Sequence, residues 1–306
     1  MRFVTCIVNE TSDGETVDFV LRMQLFVSNR FIRHARKVPG AVTLDGVPSR
    51  TDAPVRAGQE VGICVDDEIV ATKICSAEPQ EGPLDVVYED EDLILVNKPA
   101  GLVMHPSRGH ADHTLINYLL WYLRQTGRTC NPHPVQRLDV GTTGLVAFTT
   151  SGYAQDRLQD QLHTDSFTRA YLALVKGTFE ISWGTVDAPI GRYEDLPGSY
   201  DVHPEGKDAV THYTVLGSFE VEGEGTVSLM KLVLDTGRTH QIRVHMKHIG
   251  HPLLGDATYG EPSALIGRAA LHSWMIEADH PVTRERLCVR APLPADMAAL
   301  VPEHLR

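Results

Sequence analysis

The spacing of apolar residues predicts a small module at the start of the chain. Apolar side chains three or four positions apart predict two short helices, the second with Ser28 as its N-cap and Lys37 near its end. Strand-like runs follow, and the dipeptide Asp45-Gly46 after the first is a strong turn signal. The predicted segments are helices within 15–37 and strands at 41–44 and 61–65. Residues 1–75 thus form a small α/β module, which at this size is marginally stable alone.

A polar, acidic stretch separates this module from a larger part. Residues 76–83 lack periodicity and contain Gly and Pro, so they are predicted to be a linker. Strand-like and helical patterns then alternate irregularly over 84–306, which predicts an α+β domain with a mixed sheet. The predicted strands lie at 84–88, 93–97, 144–149, 171–175, 213–216, 227–234 and 287–291, and the predicted helices at 114–123, 154–162 and 240–248.

The composition is that of an ordinary globular protein, with 42% hydrophobic and 22% charged residues among 306. No apolar run is long enough to span a membrane, and the first residues lack the apolar stretch of a signal peptide. A cytoplasmic location is therefore expected. The five cysteines contain no CxxC pair, which favours reduced thiols over a zinc or redox site. They are Cys6, Cys64, Cys75, Cys130 and Cys288.

The distribution of charge bears on the partner. The formal net charge is −12, which by itself argues against a nucleic-acid partner. Residues 19–44, however, contain five basic and no acidic side chains. These are Arg22, Arg30, Arg33, Arg36 and Lys37. A basic face on an acidic protein can bind RNA in one orientation while the other surfaces repel it.

Asp139 is a candidate catalytic carboxylate. It follows Arg137 and precedes a small, Gly-containing polar stretch and an apolar strand. This context places Asp139 in a loop at the edge of a sheet, where functional residues are common. For a lone Asp in a loop an Asx turn is the commoner interpretation, so the residue by itself leaves both readings open.

A second candidate segment holds Arg238, His240, Arg243 and His245 within eight residues after a predicted strand. A helix beginning near Thr239 would direct its N-terminus toward an anion, and the arginines would reinforce this preference. A solvated basic face is the alternative. Interleaved apolar residues favour at least partial burial, and buried arginines need carboxylate or phosphate partners.

The histidines near this segment raise the question of a metal site. His245 and His248 would be neighbours on a helix, but Gly250 and Pro252 end that helix before His251. No HExxH or paired-cysteine pattern is present, so no metal is expected. The chain also lacks the GxxxxGKS/T, GxGxxG and GxSxG patterns, which removes support for kinase-like, dinucleotide-binding and α/β-hydrolase functions.

Four ordered segments resemble the motifs of the RluA-type pseudouridine synthase family, in particular its RluD-like members. Residues 96–106 resemble the first motif, residues 137–145 the catalytic loop, residues 169–177 the strand with the active-site tyrosine, and residues 237–256 the last large motif. The resemblance covers most of residues 84–306. It implies a catalytic domain with a mixed, largely antiparallel sheet that isomerises uridine to pseudouridine in structured RNA.

The resemblance implies a role for each motif residue. Asp139 would act at C1′ of the uridine, Arg243 would grip Asp139 with its two-pronged guanidinium, and Tyr171 would pack on the uracil. Arg137 would fill the space left by the flipped-out uridine, and Leu145 would line a tight apolar pocket. Isomerisation involves no net oxidation or group transfer, so no cofactor is expected. Further substrate contacts are expected from Arg238 and His240.

Two positions depart from the family pattern. Gln136 stands where histidine is usual, and Arg169 stands where lysine is usual. The module of residues 1–75 resembles, more loosely, the RNA-binding domain named after ribosomal protein S-four. RNA contacts are expected there from Arg30, Arg33 and Lys37. The implied protein is a monomeric enzyme acting on ribosomal RNA, with transfer RNA as a second possibility.

Two other functions could use the same residues. A nucleoside or glycoside hydrolase could use Asp139, but it would need a second carboxylate near the sugar, and no candidate accompanies the motif. A noncatalytic RNA-binding protein would need neither Asp139 nor Arg243, and both are present. Tritium release from 5-tritiated uridine distinguishes the three, because only bonding of C5 to C1′ expels that hydrogen.

Overall fold

The computed structural model describes residues 1–66, 76–107, 109–162, 164–193 and 198–306. The first elements are β1 (Phe3–Ile7), α1 (Val17–Met23), α2 (Asn29–Ala35), β2 (Val42–Leu44), β3 (Val47–Pro48) and β4 (Glu60–Cys64). These strands form an antiparallel sheet in the order β1-β4-β2-β3. The two helices and the small sheet predicted for the module are thereby confirmed.

Local interactions explain why the module forms these elements. The Ser28 side chain caps α2 by accepting a hydrogen bond from the backbone N–H of Phe31 at 3.0 Å. Asp45 and Gly46 have φ values of 52° and 73°, the conformation of a tight hairpin turn. Strand β1 was not expected, because it is a partly exposed edge strand with little apolar alternation.

The larger part is built on one ten-stranded sheet. Its strands are β5 (Val86–Glu89), β6 (Leu93–Lys98), β7 (His133–Pro134), β8 (Thr143–Thr149), β9 (Phe167–Lys176), β10 (Trp183–Asp187), β13 (Val210–Val221), β14 (Gly225–Leu234), β15 (Leu271–Asp279) and β16 (Arg286–Arg290). A separate ribbon consists of β11 (Ile190–Arg192) and β12 (Tyr200–Val202). The helices are α3 (Leu115–Gln125), α4 (Gly152–Gln161), α5 (Gln241–His248) and α6 (Ala295–Ala298).

The order of the strands confirms the expected fold class. It runs β10-β13-β14-β9-β15-β8-β6-β5, with β16 beside β15 and β7 beside β8. In the described residues every strand pair of this sheet is antiparallel except β8 with β15. The protein therefore has an α+β fold with a mixed, largely antiparallel sheet.

The central strand β15 has no counterpart among the predicted strands. His272 and Ser273 interrupt its apolar pattern, yet both are buried. The ring of His272 bonds the Thr143 hydroxyl at 2.9 Å, and the Ser273 hydroxyl donates to the Leu145 carbonyl at 3.0 Å. Buried polar side chains are tolerated in β15 because they have hydrogen-bond partners there. They interrupt the apolar pattern from which a strand is predicted, so β15 was missed.

The sheet buries different apolar clusters on its two faces. Val146 and Tyr171 belong to the cluster that also contains Ile242 of α5. Leu145 belongs to another cluster, together with Ile276. Because successive side chains of a strand point to opposite faces, this division decides which motif residues can meet.

The N-terminal module packs directly against α4. Tyr153 of α4 is 2% exposed and lies edge-on to Phe31, with ring centroids 6.1 Å apart. Its hydroxyl donates to the Leu25 carbonyl at 3.1 Å, and the Ser28 hydroxyl bonds the Asp156 carboxylate. The module thus shares its apolar core with a helix of the larger domain.

The described part of the predicted linker runs along α3. The Gln80 N–H donates to the Asn117 carbonyl at 3.1 Å, and its side-chain oxygen accepts from the His113 N–H at 2.6 Å. Residues 67–75, which include Cys75 and the predicted end of the module, lie outside the described residues. The domain boundaries remain predictions.

Two global expectations concern cysteines and membranes. Cys6, Cys64, Cys130 and Cys288 form no disulfide. Cys64 is buried in the core of the module, where a free thiol packs as a small apolar group. In the part of the chain that the structure describes, no helix combines the length and the apolar character needed to cross a membrane.

Candidate active site

Asp139 lies in the loop between β7 and β8, as expected from its sequence context. The backbone of this loop is held firmly. The Val140 carbonyl accepts from the Lys98 ammonium at 3.1 Å, and the Gly141 carbonyl accepts from Arg268 at 3.2 Å. The Asp139 side chain is 29% exposed, so a fixed backbone presents an accessible carboxylate.

Lys98 is buried beneath this loop and was not among the predicted site residues. Its Nζ donates to the carbonyls of Pro99, Leu102 and Val140 at 2.9, 3.0 and 3.1 Å. Burial lowers the pKa of Lys98 to about 8, against the opposing effect of the Asp139 charge. At pH 7 the ammonium persists, and its three donors tie the Asp139 loop, through Val140, to the segment that follows β6.

Arg243 faces Asp139, but its guanidinium fork binds a different carboxylate. Nε and Nη2 donate to Asp256 at 2.6 and 2.7 Å, whereas Nη1 lies 3.9 Å from Asp139 Oδ2. Although burial opposes the charge, the bonds to Asp256 raise the pKa of Arg243. The expected two-bond grip on Asp139 is therefore wrong, because the fully buried Asp256 already occupies the fork.

His240 approaches the same oxygen of Asp139. Its Nε2 lies 4.0 Å from Asp139 Oδ2, and its Nδ1 lies 2.8 Å from the Tyr259 hydroxyl. Burial lowers the pKa of His240, so the ring is neutral at pH 7. Among the described residues, no hydrogen bond to either Asp139 oxygen is found. The arrangement is a carboxylate with open lone pairs beside a cation and a neutral imidazole.

Tyr171 is on β9, in the same apolar cluster as Leu138, the neighbour of Asp139. The side chain is 5% exposed. Burial raises the pKa of Tyr171 and the Asp139 charge raises it further, so the phenol stays protonated at neutral pH. The ring thus forms an apolar wall near the carboxylate.

Leu145 does not line this wall. It is fully buried on the opposite face of the sheet, where it packs with Leu95 and Val135. The expected role of Leu145 in the pocket therefore needs correction: the alternation of β8 directs its side chain away from Tyr171. The Leu145 carbonyl accepts from the buried Gln136 side chain at 3.3 Å. Gln136, which replaces the usual histidine of the family, thus bonds the backbone of β8.

Two predicted RNA contacts lie at the surface. Arg137 is exposed, and in the described ranges no partner for its guanidinium is present. Arg238 is also exposed, and its Nε donates to the Asp208 carbonyl at 2.8 Å. Both therefore keep donors available for an external ligand.

Arg169, the second departure from the family pattern, is 7% exposed. Its Nη2 donates to the Leu234 carbonyl at 3.4 Å, and its Nε has no partner within the described residues. The guanidinium lies against Gly237, where any side chain would touch it. Arg169 thus packs beneath the loop between β14 and α5 and bonds the end of β14.

The histidines near α5 serve the fold. The ring of His245 is buried and bonds Thr211 and the Ala188 carbonyl, each at 2.9 Å. His251 bonds the Lys176 carbonyl at 2.9 Å. Both rings are therefore engaged by separate parts of the sheet and its loops.

A different group of potential metal ligands consists of Asp90, Asp92 and His280. Asp92 is engaged by Arg2 of the N-terminal module. His280 accepts backbone N–H groups at Nδ1, so its proton lies on Nε2, which is 3.0 Å from Asp90. The ion pair of Arg2 with Asp92 thus links the N-terminal module to this group.

The five basic residues of 19–44 divide into two sets. Arg22 and Arg36 both bind Asp18, at 2.8 and 2.6 Å. The remaining cations are exposed and are spaced three and four positions apart, which places them on one face of α2 and its extension. They are Arg30, Arg33 and Lys37.

The residues missed from the sequence share one property. Lys98, Asp256 and Tyr259 act on other side chains or on the backbone, so their types carry no chemical signature of their own. Lys98 and Asp256 do lie inside the motif segments, which was the available signal. Tyr259 follows the last motif by three residues, where only the tertiary structure shows its contact with His240.

Comparison with known proteins adds independent findings. A profile of the family described as RNA pseudouridylate synthase matches residues 92–248. The uncharacterized RNA pseudouridine synthase YhcT of Bacillus subtilis is 36% identical over 299 residues, covering 98% of this chain and 96% of its own. Ribosomal large subunit pseudouridine synthase D of Escherichia coli is 41% identical over 261 residues, covering 81% and 77% respectively.

A solved structure shows a similar arrangement. Human RNA Pseudouridylate Synthase Domain Containing 1 superposes with a TM-score of 0.56 at 27% identity. The match covers 70% of this chain and 86% of the human one. The family profile spans both the Asp139 loop and α5, the two segments that meet at the candidate site.

Proposed function

The chain belongs to the RNA pseudouridine synthase family, and we propose that it isomerises uridine in ribosomal RNA with Asp139 as the catalytic carboxylate. The chain is an enzyme of RNA modification, as its relatives are. One observation supports the choice of Asp139 above all: it is an accessible carboxylate with no hydrogen bond from the described residues, and Arg243 lies 3.9 Å away.

The reaction needs a group that acts at the ribose carbon C1′. The bond from uracil N1 to C1′ breaks, the uracil turns, and C5 forms a new bond to C1′. The hydrogen on C5 leaves and N1 gains a proton, so the product is an isomer and no redox cofactor is required. A carboxylate such as Asp139 can attack C1′ as a nucleophile, as carboxylates do at the related carbon of glycosides, or accept the proton that leaves C5.

The side chains near Asp139 fit complementary roles. Arg243 Nη1 and His240 Nε2 lie 3.9 and 4.0 Å from Asp139 Oδ2, so two N–H groups stand near the carboxylate without bonding it. The protonated phenol of Tyr171 would rest against the uracil, and the exposed Arg137 would enter the space left in the RNA.

Exclusion of water decides between isomerisation and hydrolysis. A free uracil must stay near C1′ long enough to turn, and water at C1′ would end the reaction as cleavage. Leu138, the neighbour of Asp139 in the chain, and Tyr171 are both buried and belong to one apolar cluster. These apolar groups support an isomerase rather than a hydrolase.

The proposed substrate is ribosomal RNA. The relative from Escherichia coli carries the large ribosomal subunit in its name, and the similarity to it covers 81% of this chain. Transfer RNA remains the second candidate. Both are found in the cytoplasm, which is the proposed location. Incubating total RNA from a deletion strain with the enzyme and mapping new pseudouridines identifies the target.

Asp139→Asn tests the catalytic role. We expect loss of tritium release from 5-tritiated uridine RNA, because an amide is neither an anionic nucleophile nor a base. RNA affinity and the thermal unfolding midpoint should stay close to those of the wild type, since the Asp139 carboxylate accepts no hydrogen bond from the described residues and its backbone is unchanged. A folded variant that still releases tritium at a substantial rate would exclude Asp139 as the catalytic carboxylate.

A further inference from the structure

The turn that follows α5 contacts both groups that face Asp139. Asp256 binds Arg243 and Tyr259 binds His240. We propose that Asp256 and Tyr259 are positioning residues for pseudouridine formation, each holding one N–H group at a set place beside Asp139. This inference rests on the catalytic role proposed for Asp139.

Asp256 is built to hold an arginine. It is 1% exposed and accepts from Arg243 Nε and Nη2 at 2.6 and 2.7 Å. The same carboxylate accepts from the backbone N–H groups of Thr258 and Tyr259 at 3.1 and 3.3 Å. Four donors fix Asp256, and two parallel bonds fix the plane of the guanidinium. The remaining nitrogen, Nη1, can then point only toward Asp139.

Tyr259 supports the arrangement in two ways. Its ring lies under the Arg243 guanidinium, 4.8 Å from carbon to centroid. Its hydroxyl accepts from the Tyr200 N–H at 2.9 Å and lies 2.8 Å from His240 Nδ1. A buried phenol proton needs an acceptor, and Nδ1 is the acceptor that it meets.

This bond determines which nitrogen of His240 carries the proton. With Nδ1 accepting from Tyr259, the ring proton lies on Nε2, the nitrogen that is 4.0 Å from Asp139 Oδ2. His240 thus offers an N–H donor without a positive charge. Its backbone has φ +57°, a left-handed conformation that is uncommon for residues other than glycine.

Asp256→Asn tests the first contact. We expect kcat to fall about a hundredfold, the cost of a reacting group misplaced by roughly 1 Å, while KM for RNA stays unchanged. Glu277→Gln is the matched control, since it removes a carboxylate that binds the exposed Arg286 at 3.0 Å. A wild-type kcat in the folded Asp256→Asn variant would overturn this half of the proposal.

Tyr259→Phe tests the second contact and keeps the ring in place, so the fold is preserved even if Asp256→Asn unfolds. Nitrogen-15 NMR of His240 should show the Nε2–H form in the wild type and a mixture of forms in the variant. The pKa of His240 should rise, because the phenol proton stabilises the neutral ring. The midpoint of the low-pH limb of kcat should therefore move to higher pH. Tyr122→Phe, which removes a hydroxyl bonded to Glu89, is the control.

The outcomes separate this inference from the proposed function. The NMR measurement on His240 needs no turnover and can be repeated in Asp139→Asn. Activity in Asp139→Asn would refute the proposed function, whatever the tautomer. An inactive Asp139→Asn together with normal kcat in both Asp256→Asn and Tyr259→Phe would refute the positioning role alone. An Nδ1–H form in the wild type would also refute it.

Discussion

At the scale of single residues, two carboxylates on one arginine differ in function because their surroundings differ. Asp256 is buried and accepts four hydrogen bonds, so its lone pairs are occupied. Asp139 is 29% exposed and, among the described residues, accepts none. A carboxylate whose lone pairs are free can act on a substrate, whereas one that is fully bonded can only hold its neighbours. The same reasoning separates Asp139 from an Asx turn.

Lys98 predicts an unusual pH dependence. The pKa of Lys98 is about 8, so above that pH its amine keeps only two N–H donors for three carbonyl acceptors, one of which is the Val140 carbonyl next to Asp139. We therefore expect kcat to fall above about pH 8. The ordinary lysine pKa is 10.5, so between 8 and 10.5 the unfolded chain binds more protons than the folded chain. The contribution of Lys98 to the free energy of unfolding should rise over that range.

Opposite trends in activity and stability identify the group. The measurements are kcat and urea unfolding between pH 7 and 10.5, in the wild type and in Lys98→Met. The variant should have lower activity with no descending limb near pH 8, since no titrating group remains at that position. If kcat of Lys98→Met fell at the same pH as that of the wild type, another residue would be responsible for the effect.

At the scale of elements, the site depends on the close approach of β8 and β15. Gly144 has φ +105° and pairs with Ser273 in the single parallel ladder of the described sheet. A Cβ at position 144 would overlap the Ser273 backbone. Glycine is therefore required here by space and by conformation. This contact lets β15 pair with β8, the strand that follows the Asp139 loop. Because β9 pairs with β15, Tyr171 of β9 lies near the site.

Gly144→Ala should be strongly destabilising. Left-handed strain of about 1–3 kcal/mol and overpacking of about 1–3 kcal/mol act together at this position. Urea unfolding measures the loss. Gly127 is the matched control: its φ is +77° and its missing side chain would meet nothing within 4 Å, so Gly127→Ala should show backbone strain alone. Equal losses in both variants would mean that the contact with β15 does not matter.

At the scale of the whole molecule, the structure joins a basic surface to an acidic protein through a firm interface. The net charge is −12, yet α2 presents exposed cations on one face. Phe26 of the module lies between Arg157 and Arg284 of the larger domain, at 4.9 and 5.3 Å from the guanidinium carbons. An anchored module would hold its RNA contacts at a constant distance from Asp139.

The double variant Arg33→Gln, Lys37→Gln tests whether the module binds RNA. Each lost phosphate contact should reduce the slope of log affinity against log salt by about 0.7–0.9, so the pair should reduce it by about 1.4–1.8. The experiment compares RNA binding between about 50 and 200 mM salt. Arg22→Gln is the control, because Arg22 is engaged by Asp18. An unchanged slope in the double variant would make this face an ordinary solvated surface.

The sequence by itself determined the fold class, most elements and the position of Asp139, because apolar spacing, caps and turns act over a few residues. Ser28 and Asp45-Gly46 are examples whose geometry is local. The motif segments also identified Arg243, but not its partner. Only the tertiary structure placed the guanidinium fork on Asp256 and turned Leu145 to the far face. Those outcomes depend on the twist and order of distant strands, which local patterns do not encode.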